Sequence, residues 1–215
     1  MKVVSVNVGL PREVTWKGKR VTTGIFKEPV HGRTFLRTLN LEGDRQADLN
    51  VHGGADKAVY AYPAEHYDYW HTELSGRDLP WGSFGENLAT TGLLEEAVHI
   101  GDRFGIGSTE LIVTQPRLPC FKLGIKFGDA EMVKRFANSR RTGFYFAVHK
   151  EGDIGAGDTI QLLDRDAHQI TVADVTQLYL RGDKDLDKMR RAMQIDALPE
   201  SWRSYFAQQI EQPEK

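Results

Sequence analysis

Cys120, the only cysteine among 215 residues, is the side chain with the clearest chemical potential in this sequence. It lies in residues 114–123, TQPRLPCFKL, which follow an apolar stretch typical of a strand. Pro119 predicts the start of a short helix, so Cys120 is expected in the first turn, where the helix dipole stabilises negative charge. Arg117 and Lys122 add positive potential, and such surroundings favour a thiolate, the nucleophilic and metal-ligating form. A buried structural cysteine is the competing interpretation.

The segment His52-Gly53-Gly54-Ala55-Asp56-Lys57 offers a second set of groups. Paired glycines let backbone N–H groups approach a ligand closely and form a nest for an anion. Lys57 adds a point charge that suits phosphate, although the spacing matches neither a Walker loop nor a dinucleotide fingerprint. A plain turn is the alternative. His52 could also pair with Cys120 for hydrolysis, which their distance in sequence neither supports nor excludes.

A third segment, Phe84-Gly85-Glu86-Asn87-Leu88, combines a backbone donor, a carboxylate and an amide. Such groups could hold a heterocycle that has many donors and acceptors. An ordinary loop explains the same residues equally simply.

Basic residues are concentrated between Arg117 and Arg141, a segment that contains seven Lys and Arg residues and only two acidic residues. A basic segment in a protein of net charge -2 could steer an anion into a cleft. A solvated helix face is the alternative for Lys134 and Arg135. The net charge argues against binding of a nucleic acid duplex.

Many short strands and few helices are expected before residue 165. Strands are predicted at Val3–Val8 and Val21–Lys27, and a helix at Pro63–Leu74. This pattern favours a mainly β fold, a β-barrel or sandwich with peripheral helices. Three apolar stripes at helical spacing follow. We therefore predict a β domain at residues 1–165 and a small α-helical domain at residues 166–215.

The single cysteine rules out an intrachain disulfide and suits a reducing compartment. The N-terminus alternates apolar and polar residues, as a strand does, and lacks the apolar core of a signal peptide. No apolar run reaches the ~20 residues of a membrane helix. The expected location is the cytoplasm, without membrane attachment.

The motifs, taken in order, resemble the MOSC domain family, named for the C-terminal domain of molybdenum cofactor sulfurases. The resemblance is closest to the YiiM-type members, which carry a C-terminal helical (3-alpha) domain. The residues that carry it are Leu41-Glu42-Gly43-Asp44 with Gln46, His52-Gly53-Gly54, Tyr62-Pro63, Phe84-Gly85-Glu86-Asn87-Leu88, Ile100-Gly101-Asp102, Val113-Thr114-Gln115-Pro116-Arg117, Pro119-Cys120-Phe121-Lys122 and Arg141-Thr142-Gly143.

The resemblance implies a β-barrel that binds molybdenum cofactor (molybdopterin with Mo) and reduces N-hydroxylated compounds such as hydroxylaminopurine base analogues, a detoxification. Cys120 would ligate molybdenum, for which a thiolate is a suitable soft ligand, and His52 would join it as a catalytic residue. The remaining cofactor-binding residues that it implies are Lys27, Gly53, Gly54, Lys57, Gly85, Glu86, Asn87, Arg117, Lys122 and Arg141. Because no flavin, haem or iron–sulfur motif is visible, a flavin-type reductase is the expected electron donor.

Two other functions fit the same residues. The chain could carry the cofactor or transfer sulfur, with a persulfide on Cys120. It could also be a scaffold in which the helical tail binds a partner. The tail could pack on the barrel, on a second subunit in a homodimer, or on the reductase.

Overall fold

The computed structural model describes residues 1–47, 53–180 and 184–211. These residues form twelve strands, six α-helices and a 3-10 turn at Ala55–Lys57. The strands are β1 (Lys2–Val8), β2 (Arg12–Trp16), β3 (Lys19–Thr23), β4 (Glu28–Pro29), β5 (Arg33–Leu36), β6 (Val59–Pro63), β7 (Leu88–Thr91), β8 (Arg103–Ile106), β9 (Thr109–Pro116), β10 (Phe144–Lys150), β11 (Gly152–Gly155) and β12 (Ile160–Asp164). The helices are α1 (His66–Glu73), α2 (Phe121–Phe127), α3 (Met132–Ser139), α4 (Val172–Leu180), α5 (Leu186–Ala192) and α6 (Glu200–Glu211).

Eight strands form the main sheet in the order β12-β8-β9-β10-β6-β7-β1-β4. Neighbouring strands are antiparallel except β6 and β7, which run parallel. The register of β6 and β10 places Tyr60 opposite Tyr145. Directly opposite residues point to the same face of a sheet, so both tyrosines project to one side.

The mainly β architecture with peripheral helices is confirmed, but a closed barrel is not found in the described residues. Next to the edge strand β12, the chain meets β1 through one bridge, Lys2 to Thr159, and through backbone hydrogen bonds between residues 1–3 and 157–160, without a continuous ladder. Strand β11 pairs with β5 in a separate two-stranded sheet.

Two apolar clusters fill the interior. The larger one joins the inner face of the sheet to the tail helices, since Phe104 and Phe146 belong to the same cluster as Val175 and Phe206. The smaller one is rich in aromatic side chains and lies between α1, α2 and α3. Trp70, Phe84 and Phe136 are completely buried there. This second cluster forms the floor beneath Arg117.

Three helices follow residue 170, as the sequence predicts. A capping box begins α4, because the Asp174 N–H donates to Thr171 Oγ1 at 2.9 Å and the Thr171 N–H donates to Asp174 Oδ2 at 3.0 Å. Trp202 of α6 donates from Nε1 to Gln115 Oε1 of β9 at 2.9 Å. The tail is thereby attached to the strand that leads to Cys120.

Two predicted elements have different bounds. Strand β3 ends at Thr23, so Lys27 lies in the connection to β4 and not at a strand end. Pro63 ends β6 and does not open the following helix, which begins at His66. Proline lacks an N–H and is acceptable at either place, so local sequence alone does not distinguish them.

A membrane crossing would need a longer and more apolar helix than any in the described part of the chain.

Candidate functional site

A cleft beside Cys120 gathers many of the predicted site residues. It has about 710 Å³ of space, including its opening to solvent. Seven of the residues predicted for the cofactor site line it: Lys27, Lys57, Gly85, Asn87, Arg117, Cys120 and Lys122. They come from four separate parts of the chain, which only the folded sheet brings together.

Cys120 lies at the junction between β9 and α2. It occupies the N-cap position of α2, with extended backbone (φ -132°), so it immediately precedes the first turn in which we expected it. Its side chain is half-buried and carries a free thiol. The Leu123 N–H donates to its carbonyl at 2.9 Å, and the Arg117 N–H donates to the Gly143 carbonyl at 3.1 Å. These bonds hold both ends of the link between strand and helix.

Arg117 presents a buried guanidinium to the cleft. The residue is 5 % exposed, and its guanidinium carbon lies 4.9 Å from the ring centres of Tyr60 and Phe136. Among the residues that the structure describes, its Nη1 has no hydrogen-bond partner. Because an unpartnered buried donor costs free energy, this atom points to an anionic ligand.

Tyr145 shares a wall of the cleft with Arg117. Burial raises the pKa of its hydroxyl, and the positive charge of Arg117 opposes the rise. The pKa of Tyr60 is likewise raised well above its ordinary value by burial, again against the effect of Arg117. Both hydroxyls therefore stay protonated at neutral pH, and that of Tyr60 donates to the Thr142 carbonyl at 2.8 Å.

Lys27 forms an ion pair in the floor of the cleft. Its Nζ lies 2.5 Å from Asp44 Oδ1, and both side chains are under 10 % exposed. Asp44 also accepts hydrogen bonds from the Gly9 N–H at 3.0 Å and from Asn87 Nδ2 at 2.8 Å. Burial lowers the pKa of Lys27, and the charge and hydrogen bond of Asp44 oppose this. Asn87 therefore positions the ion pair and also lines the cleft.

Gly85 permits the close approach of its loop to the cleft wall. Its φ is +81°, and an added Cβ would lie 2.7 Å from Ile25 Cγ1. Any other residue would be strained by the backbone and would clash with Ile25. Glycine at position 85 thus has a steric reason, and the Ile25 side chain that it contacts also lines the cleft.

Gly53 and Gly54 lie beside the cleft lining and not in it. The Gly54 N–H donates to Gln46 Oε1 at 2.8 Å, and Gln46 returns a bond to the Gly54 carbonyl. The predicted anion nest therefore has one N–H already bound to a side chain. His52, predicted as catalytic, lies outside the described residues.

Glu86 is completely buried, and its carboxylate faces its own loop. It accepts hydrogen bonds from the Tyr67 hydroxyl, the Gly82 N–H at 2.6 Å and the Phe84 N–H at 3.0 Å. Burial raises its pKa, and these hydrogen bonds oppose the rise. The structure thus places Glu86 behind the cleft wall, where it braces the loop that carries Gly85 and Asn87.

We expect Glu86→Gln to destabilise the fold by about 2 kcal/mol, because the new amide donor would face donors that now bind a carboxylate oxygen. Urea unfolding of cofactor-free protein measures this effect. Glu96→Gln, at an exposed position, is the control and should change the free energy of unfolding by less than about 0.5 kcal/mol. Equal stabilities would show that the buried network contributes nothing.

Arg141, the last predicted cofactor contact, is not brought to the cleft. Its guanidinium carbon lies 4.1 Å from the ring centre of Tyr69. It lines a separate polar cavity that also contains His66 and Glu95, which are paired at 2.7 Å. The sequence shows that Arg141 follows a helix, but it does not show in which direction the Arg141 side chain points.

Sequence reasoning did not assign several lining residues. Tyr60 and Tyr145 enter through the register of β6 and β10, which no local pattern shows. Asp44 was part of the family motif, and Arg45 directly follows it in sequence. The sequence signal that could have identified Asp44 and Arg45 is that these two charged residues directly follow Gly43 of the motif.

Within the described residues, no group of three or more His, Cys, Asp or Glu side chains could hold a metal ion.

Comparison with known families gives two matches. The MOSC domain matches residues 48–161, and the YiiM-like 3-alpha helix domain matches residues 170–212. The second match coincides with the three tail helices.

Individual relatives agree with these matches. "Uncharacterized protein YflK" of Bacillus subtilis is 45 % identical, over 95 % of this chain and 92 % of its own length. The crystal structure of YiiM from Geobacillus stearothermophilus superimposes with a TM-score of 0.81 at 33 % identity, covering 97 % of this chain and 98 % of that one.

A protein of Gibberella moniliformis named "Reductase" is 35 % identical over 83 % of this chain, which corresponds to 32 % of that longer protein. The family matches, the high coverage of YflK and the shared fold lead to one conclusion: this chain belongs to the MOSC domain family and carries the YiiM-like 3-alpha helix domain at its C-terminal end.

Proposed function

We propose that the protein binds molybdenum cofactor and reduces N-hydroxylated compounds, such as hydroxylaminopurine base analogues. The observation that carries the proposal is the shared cleft in which the Cys120 thiol meets the buried, partly unpartnered guanidinium of Arg117. The thiol is a soft metal ligand, and the guanidinium is a charged donor that binds anions.

The lining residues fit such a cofactor in charge and donor type. Five cationic side chains line the cleft, against Asp44 as the one carboxylate in its described lining: Lys27, Arg45, Lys57, Arg117 and Lys122. A cleft lined by one sign of charge raises the local concentration of the opposite sign. The phosphate of the cofactor is an anion of this kind, and the thiol can complete a metal centre.

The protein residues would divide the work. Arg117 and Lys122 would hold the anionic end of the cofactor, and Cys120 would ligate its metal. A bound molybdenum cofactor would supply a two-electron redox centre next to the substrate. Tyr145, whose hydroxyl stays protonated because burial raises its pKa, would donate a hydrogen bond to the substrate oxygen. Asp44, paired with Lys27, would favour the charged ammonium of Lys27 at the floor.

The reaction balances as follows: a hydroxylamine R–NHOH takes up two electrons and two protons, the N–O bond breaks, and R–NH₂ and water form. The electrons would come from a partner, for which we propose a flavin-type reductase. The name of the fungal relative, "Reductase", supports this reaction class, although it describes a protein about three times as long as the matching part.

The test is anaerobic purification, followed by analysis of molybdenum and pterin. The loaded protein is then given 6-hydroxylaminopurine with reduced viologen as the electron source, and the amine product is quantified. We expect about one molybdenum per chain and formation of adenine. Protein that lacks both pterin and metal and forms no adenine would contradict the proposal.

The low pKa of Lys27 predicts how anion binding depends on pH. A lysine with a lowered pKa loses its positive charge at a lower pH than an ordinary lysine does. We therefore expect the affinity of the cofactor-free cleft for inorganic phosphate to fall as pH rises, starting below the usual range for lysine.

In Lys27→Arg the positive charge persists, so the decrease in phosphate affinity should occur at higher pH than in the wild type. Lys57→Arg should leave the midpoint pH of this decrease unchanged. Calorimetric titrations between about pH 8 and 10, where phosphate keeps its charge, measure this. Identical profiles for the wild type and Lys27→Arg would show that Lys27 does not control anion binding.

A further inference from the structure

A second cavity lies on the other side of Cys120, between the end of β9 and the tail helices. It encloses about 950 Å³ including its open mouth. Helices α4 and α6 contribute Tyr179, Trp202 and Tyr205 to its wall. This cavity is where the two matched domains face one another, and ligand sites are common at domain boundaries.

The second cavity and the cationic cleft share a wall. Four residues line both spaces: Lys57, Leu118, Cys120 and Tyr145. The Cys120 thiol and the Tyr145 ring therefore stand between a cation-rich space and an aromatic one. A centre bound at Cys120 would be reachable from both sides.

The wall that the tail helices contribute to the second cavity is aromatic, and contacts with neighbouring residues fix its side chains. The ring centre of Tyr179 lies 5.0 Å from that of Trp202 and 4.9 Å from that of Tyr205. Trp202 is 6 % exposed and is fixed by its bond to Gln115, whereas Tyr179 is 38 % exposed. Tyr179 thus offers a ring to a ligand on a rigid support.

The charge of this space differs from that of the cleft. Among the described residues that line it, Lys57 is the only charged side chain, and no carboxylate is present. Burial raises the pKa of Tyr205, with a further contribution from Tyr179, so Tyr205 remains a neutral phenol at pH 7. Neutral aromatic walls favour a neutral, planar ring that can stack, and every nucleobase has such a π-face.

We propose that the helical tail forms the substrate pocket of this protein and selects planar heteroaromatic rings through Tyr179 and Tyr205. The assignment of a substrate to this cavity rests on the proposed reductase function, since that function gives Cys120 its reacting centre. The tail then determines which N-hydroxylated compounds reach Cys120. Planar bases fit the aromatic wall, and saturated compounds gain nothing from it.

Adenine is a suitable probe, because it is planar, lacks the N–O bond and is not consumed. Its dissociation constant is measured by calorimetry on the full chain, with and without cofactor, and cyclohexanol serves as a saturated ring without a π-face. We expect Tyr179→Leu to weaken adenine binding about tenfold, since stacking is lost while bulk is kept. Tyr179→Phe keeps the ring and should retain the affinity within about twofold.

Leu180→Ala is the matched control. Leu180 follows Tyr179 in the same helix, is also 38 % exposed and does not line the cavity. It should leave adenine binding unchanged. The proposed ring pocket would be contradicted if Tyr179→Leu and Leu180→Ala bound adenine with equal affinity. It would also be contradicted if the wild type bound adenine and cyclohexanol equally well.

The failure of this proposal can be told apart from the failure of the reductase function. Adenine binding that depends on Tyr179, in a protein without molybdenum or product formation, would support the ring pocket and refute the reductase. Product formation whose KM is unaffected by Tyr179→Leu would keep the reductase and refute this pocket.

Discussion

Cys120→Ser is expected to lower the reduction of 6-hydroxylaminopurine at least about a hundredfold. Serine keeps the size of the side chain but replaces a soft sulfur ligand by a hard, protonated oxygen, which suits molybdenum poorly. Even changes outside the immediate ligands of a metal cost about 10- to 100-fold, so loss of a ligand should cost more. Product formation and the molybdenum content of anaerobically purified protein are the two measurements.

The controls for Cys120 separate ligation from folding. Because Cys120 is half-buried and its thiol is free, the free energy of unfolding of the serine variant should lie within about 1 kcal/mol of the wild-type value. Full molybdenum occupancy in Cys120→Ser would refute ligation by this sulfur. A mass increase of one sulfur on wild-type Cys120, without bound pterin, would instead favour the sulfur-transfer function.

Arg117→Met is expected to weaken cofactor retention about a hundredfold while leaving the fold intact. The variant removes a buried positive charge that no described carboxylate pairs with, and charge-assisted bonds to a phosphate are strong. In the cofactor-free protein the lost contact with the Tyr60 and Phe136 rings is offset by the removed cost of a buried charge. The free energy of unfolding should therefore change by less than about 1 kcal/mol.

Pterin content after extensive dialysis and urea unfolding measure the two effects. Arg141→Met is the informative comparison, because sequence resemblance assigns Arg141 to the cofactor whereas the structure places it against Tyr69. We expect that variant to retain cofactor. Equal retention by Arg117→Met and the wild type would show that the buried guanidinium does not hold the anion.

The local order of residues determined most of the secondary structure and the candidate thiol. Period-2 and helical patterns located β1, β9 and the three tail helices, the first of which begins with the Thr171–Asp174 capping box. The ordered motifs were specific enough to indicate the family, and the matches confirm it. These features depend on neighbouring residues, so a sequence can show them.

Tertiary structure decided which side chains share a space. Arg117 lines the cleft, whereas Arg141 lines a separate polar cavity. Tyr60 and Tyr145 became neighbours only through strand register, and Trp202 reached Gln115 across 87 positions. A barrel was expected, but the described residues join β1 to the segment at β12 through one bridge and not through a continuous ladder.

The sequence by itself determined the family, the tail of three helices and the candidate thiol. Only the folded chain decided that this thiol stands between a cationic cleft and an aromatic cavity. The physical reason is that charge and ring type are properties of single residues, whereas a cavity is formed by strand pairing and helix packing between residues far apart in the chain.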